Sequence, residues 1–115
     1  MKFCMQGTNV IVANTTNNNV LAGQRYERAP ANCYGALFVT GSAIGLTCEL
    51  NCGGVSVTPP TGVNIQNRYP VVPDDSLVDG WSVGNGKLIQ VTVANTTGGN
   101  LNVFWRVELL VARGR

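Results

Sequence analysis

Val12-Ala13-Asn14-Thr15-Thr16 returns 81 positions later as Val93-Ala94-Asn95-Thr96-Thr97. In both places β-branched residues run into a knot of Asn, Thr and Gly, and apolar residues then resume: Val20-Leu21 after the first, Leu101 after the second. β-Branched side chains suit a pleated surface, and Asn and Gly supply the φ values that a tight reversal needs. The pattern predicts a strand, a turn and a returning strand near each end of the chain, and hence an all-β protein.

Strand patterns fill the interval between the two copies. Leu46-Thr47-Cys48-Glu49-Leu50-Asn51-Cys52 alternates cleanly, which predicts a half-exposed antiparallel strand with Leu46, Cys48, Leu50 and Cys52 facing inward. From Cys33 to Thr40 both rows are largely apolar (Cys33, Gly35, Leu37, Val39 against Tyr34, Ala36, Phe38), as expected of a central, buried strand. Thr8 to Ala13 reads as the first strand, with Val10 and Val12 on one face. Lys87 to Ala94 and Leu101 to Ala112 read as the strongest strand pair, the long final strand lying centrally. Pro59-Pro60-Thr61-Gly62 reads as a breaker and Pro70 to Asp75 as a loop. Gly84-Asn85-Gly86 and Gly98-Gly99-Asn100 read as hairpin turns, and Ser76 to Gly86 fits a helical turn or a short edge strand, with Trp81 plugging the end of the core. About seven to nine short strands separated by turn signals predict one antiparallel β-sandwich domain over residues 1–115. Hairpins near both ends favour a jelly roll, in which strands from the two termini share a sheet.

With 115 residues, 44% of them apolar and only 12% charged, the chain has enough material for a two-layer core but few charges for its surface. Solubility leans on charge repulsion between molecules. A charge-poor β surface is therefore expected to pack against copies of itself or a partner. The net charge of +2 comes from scattered cations with no basic arm, which argues against direct nucleic-acid binding. No run reaches the roughly 20 apolar residues of a membrane helix, and no apolar segment of a signal peptide follows Met1-Lys2-Phe3.

The four cysteines, Cys4, Cys33, Cys48 and Cys52, fit buried thiols or one disulfide. Cys48 and Cys52 would lie about 13 Å apart along one strand, too far to bridge each other. If the turn at Gly41 to Gly45 closed symmetrically, Cys33 would fall beside Cys52, which makes that pair the candidate disulfide. Zinc is not expected without His or a Cys-x-x-Cys pair. The absence of His excludes Ser-His-Asp and Cys-His catalysis, so the chain is read as no enzyme and as needing no cofactor. Asp74, Asp75 and Asp79 could offer oxygens to calcium but lack the Asp-x-Asp-x-Asp-Gly loop. Asn14-Thr15-Thr16 and Asn95-Thr96-Thr97 match the N-glycosylation acceptor, a match read as accidental.

The paired Val-Ala-Asn-Thr-Thr segments, the strand Tyr34-Gly35-Ala36-Leu37-Phe38-Val39-Thr40-Gly41 and the terminal Phe104-Trp105-Arg106-Val107-Glu108-Leu109 resemble the small all-β structural proteins of viruses and bacteriophages. The resemblance implies a virion component made in the host cytoplasm: a capsid, cement or decoration protein that binds copies of itself and other virion proteins. It carries over no site residues. Tyr flanked by Arg is a common interface anchor, and Phe104 and Leu110 leave the outer row of the last strand partly apolar. The candidate interface is thus Tyr26, Arg28, Arg68, Tyr69, Phe104 and Leu110. The alternative is a carbohydrate- or receptor-binding, lectin-like module of a tail fibre or secreted protein, with Tyr26 and Tyr69 as sugar platforms.

Overall fold

The computed structural model describes residues 2–65, 69–70 and 75–111. Among them nine strands form: β1 (Lys2–Ile11), β2 (Thr16–Asn17), β3 (Cys33–Gly41), β4 (Leu46–Cys52), β5 (Val55–Gly62), β6 (Asn64–Ile65), β7 (Ser76–Val83), β8 (Ile89–Asn95) and β9 (Leu101–Val111). They build two sheets. The first runs β1-β9-β3, and the far side of β3 is shared by antiparallel β7 and a two-residue parallel pairing with β6. The second runs β2-β8-β4-β5, antiparallel throughout.

The sheets pack face to face over one apolar cluster. Met5, Ile11, Leu37, Val39, Trp81, Val103, Trp105, Val107 and Leu109 enter it from the first sheet. Leu46, Cys48, Leu50, Cys52, Ile89, Val91 and Val93 enter from the second. Burying each such aliphatic side chain is worth about 1.5–3 kcal/mol, so the alternation read from Leu46 to Cys52 sets which face of β4 turns inward. β3 and β9 are central, as their apolar patterns require. Two glycines admit the large rings of the first sheet: a Cβ at Gly35 would overlap the Trp81 indole, and one at Gly7 would overlap that of Trp105.

The turns predicted as hairpins are corners instead. β1 lies in the first sheet and β2 in the second; β8 lies in the second and β9 in the first. Each Val-Ala-Asn-Thr-Thr segment therefore carries the chain from one layer to the other. The two corners run side by side, with Asn14 N donating to Thr97 O (3.0 Å) and Asn95 N to Thr15 O (2.9 Å). β8 and β9, read as a pair, face each other across the core, each turning its apolar row inward from its own sheet. Gly84 to Gly86 likewise leads between sheets, from β7 to β8. A two-residue hairpin does occur at Gly53-Gly54, where φ values of 60° and 86° match the doubly left-handed turn that joins twisted strands.

Three further expectations are corrected. β1 runs Lys2–Ile11 and turns Met5 and Ile11 inward, leaving Val10 and Val12 exposed. Pro59 and Pro60 lie within β5, which is tolerated because β5 is an edge strand and the register with β4 slips there. β3 and β4 belong to opposite sheets, so Cys33 is not brought beside Cys52 by a symmetric turn, and all four thiols are free. Ser76 to Val83 is the strand β7, with Trp81 buried in the core.

Candidate interaction surface

The outer face of the first sheet is centred on β9, whose outward row is Asn102, Phe104, Arg106, Glu108 and Leu110. In register beside it stand Lys2, Cys4, Gln6, Thr8 and Val10 of β1, and Tyr34, Ala36, Phe38 and Thr40 of β3. The charges on this face satisfy one another. Glu108 accepts from Arg106 Nε at 2.8 Å and pairs with Lys2 Nζ at 3.0 Å. Arg106 also donates to Gln6 Oε1 (3.3 Å) and to Cys4 Sγ (3.5 Å). Burial alone would raise the Glu108 carboxyl; the hydrogen bonds and positive charges of Arg106 and Lys2 outweigh it and hold the group below its ordinary value.

Around this ladder the face is apolar in two places. At one end Tyr69 stands edge-on to Phe104 with ring centroids 5.4 Å apart, and its hydroxyl accepts from Thr8 Oγ1 at 2.8 Å. Phe38 and Thr40, although on the outward row, are buried nearby. At the other end Tyr34 and Leu110 are cross-strand neighbours, 54% and 55% exposed. Directly opposed side chains of this kind form one continuous patch.

The structure thus brings Tyr69 and Phe104 together and puts Leu110 on the same face at its far end. It does not bring Tyr26 and Arg28 to that face. Tyr26 packs against Phe3 on the inward row of β1 (4.8 Å between centroids), with the Arg25 guanidinium 5.6 Å from its ring. Arg28 donates to Gly86 O at 3.2 Å and bridges Leu88. Arg68 and Asp74 lie outside the described residues; Asp75 is buried and Asp79 exposed. Sequence reasoning left Tyr34 out of the candidate interface; the register that sets it beside Leu110 puts it on this face.

Two of the buried thiols, Cys48 and Cys52, are chemically quiet. Burial, helped by the Glu49 carboxylate, pushes Cys48 up to about 12, and burial pushes Cys52 up to about 11. A thiol so far above neutrality carries almost no thiolate, the reactive form.

Fold and surface together define a class: a charge-poor β-sandwich whose ions are paired on one sheet face while apolar side chains there stay open. No family model matches the chain, and no curated protein is similar enough to count as a relative.

Proposed function

We propose that this protein is a structural, homo-oligomeric virion component, a capsid, cement or decoration protein, that works by adhesion rather than catalysis. The observation that carries this reading is the outer face of the first sheet. Its ionic groups are spent on one another, and Tyr34 and Leu110, with Phe104 and Tyr69 further along, are the groups left to gain from burial against a neighbour. A standard interface hides roughly 800 Å² per partner, within reach of one sandwich face.

The strand order supports a jelly-roll reading of the sandwich. β1-β9-β3-β7 lies opposite β2-β8-β4-β5, so strands from the two ends of the chain alternate within each layer. Light scattering of the purified chain across concentration tests the proposal: concentration-dependent assembly is expected, and a strict monomer at high concentration overturns it. The lectin-like alternative draws on the exposed ring of Tyr69. Glycan-array binding that is lost in Tyr69→Ala would favour it over self-assembly.

A further inference from the structure

We infer that the free edge of β1 is the seam through which two copies of this chain associate, by antiparallel β1–β1 pairing about a two-fold axis. The inference rests on the self-association proposed above and names its site. An unpaired edge offers a row of backbone N–H and C=O groups to any extended strand, and folded proteins normally blunt such edges with short strands, prolines or bulges.

Among the described residues the other edge strands are blunted in those ways. β2 and β6 are each two residues long. β5 carries Pro59-Pro60 and shifts register twice against β4. β7 shifts register twice against β3 and bends at Gly80, where φ is 73°. β1 has none of these guards. It holds unbroken register with β9 from Lys2 through Ile11, contains no proline and bears one charge, Lys2. Among the described residues it pairs with β9 alone.

The occupant is decided by what this chain can offer. β5 lacks two backbone donors, β7 is bulged and β2 is too short, so the matching strand is β1 of a second copy. One open edge among the described residues gives an isologous contact that closes at two. A two-fold axis perpendicular to the sheet keeps outward rows outward, so even-numbered residues must oppose even-numbered ones. Of the registers that meet this condition, two give the longest seam, one centred on Gln6 (Lys2 to Val10 paired) and one on Gly7 (Phe3 to Ile11 paired). Each makes a seam of about 30 Å at the usual strand rise.

Charge does not oppose the contact: the two Lys2 side chains fall at opposite ends of the seam. In both registers Lys2 of one copy lands opposite or diagonal to Val10 of the other. Val10 is 60% exposed and borders a groove of about 530 Å³ lined also by Val12 and by Thr15 to Asn19. The aliphatic stem of that Lys2 would cover it.

Sedimentation equilibrium of the full chain tests the inference. Val10→Lys sets two lysines against each other at both ends of the seam and is expected to weaken dimerisation at least tenfold. Val10→Glu sets a carboxylate against Lys2 and is expected to strengthen it at low salt, the gain fading as salt is added. Oxidation with the exposed native Cys4 is expected to give a covalent dimer in Thr8→Cys if the centre is Gln6, or in Val10→Cys if it is Gly7. If the parent chain assembles but neither charge variant changes its dissociation constant, the β1 seam is wrong while self-association stands. If the parent chain is monomeric throughout, both fall together.

Discussion

Asn14 and Asn95 occupy the same place in two identical pentapeptides, and the fold uses them in opposite ways. Asn14 is exposed, with φ at 56°, in a reversal closed by Thr15 N donating to Val12 O (3.1 Å). Its backbone does the work, because Asn tolerates the left-handed region better than other residues with a Cβ. Asn95 is 2% exposed and its side chain does the work. Its amide nitrogen donates to Ile11 O (2.9 Å) and Gly99 O (2.8 Å), while its carbonyl accepts from Thr97 N (2.9 Å) and Thr97 Oγ1 (2.7 Å). One corner lies over the other, so the inner copy must replace lost water with hydrogen bonds and the outer copy need not. Identical local chemistry is thus divided by position into a backbone turn and a polar staple between layers.

The sharpest way to break this contrast is at the staple. Asn95→Ala strands four hydrogen-bonding atoms, the buried Ile11 O and three part-buried ones on Thr97 and Gly99, and is expected to cost about 3 kcal/mol in urea unfolding. Asn14→Ala removes no hydrogen bond made by the Asn14 side chain and is expected to cost about 1 kcal/mol, the penalty of an ordinary side chain at positive φ. If the two losses were equal, the division of roles would be wrong.

Thr97→Ala, which loses Oγ1 bonds to Asn95 Oδ1 and Gly99 O (3.0 Å), is expected to cost about 1 kcal/mol, and the equivalent Thr16→Ala less than half of that. Asn14→Gly should be close to neutral, since glycine enters the left-handed region without strain. The smallest expected effect concerns pH. Neither corner contains a titratable side chain, so the gap between the Asn95 and Asn14 variants should hold between pH 7 and pH 4. The total stability of all variants should fall in acid. Glu108 is held below its ordinary value when folded, so its contribution is present above the unfolded carboxylate value and is lost as pH drops through the folded one. In alkali the sign reverses for Cys48 and Cys52. They keep their protons when folded, at about 12 and about 11, while the unfolded thiols ionise earlier, so the urea midpoint should decline as pH rises above about 8.5.

Alternation made the inward faces of β3, β4, β8 and β9 readable, because a period of two leaves one choice of buried row. Apolar residues on both rows marked β3 as central, and the length of the final strand marked β9 as central. Of the interface candidates, Phe104 and Leu110 were readable as outward apolar positions on β9. Tyr26 was not, because nothing local says that its ring meets Phe3, seated on a strand distant in the chain. The corners were misread as hairpins for a related reason: a strand, an Asn-rich turn and another strand look alike whether the second strand pairs with the first or crosses to the facing layer.

The amino-acid order by itself determined an all-β, charge-poor sandwich and which side of most strands is buried, because burial and strand geometry act over a few residues. Only the tertiary structure decided which strands are neighbours, which corner lies inside, which charges meet and which edge stays open. Those outcomes depend on how two apolar layers close over each other, and that closure joins residues as distant as Asn14 and Thr97.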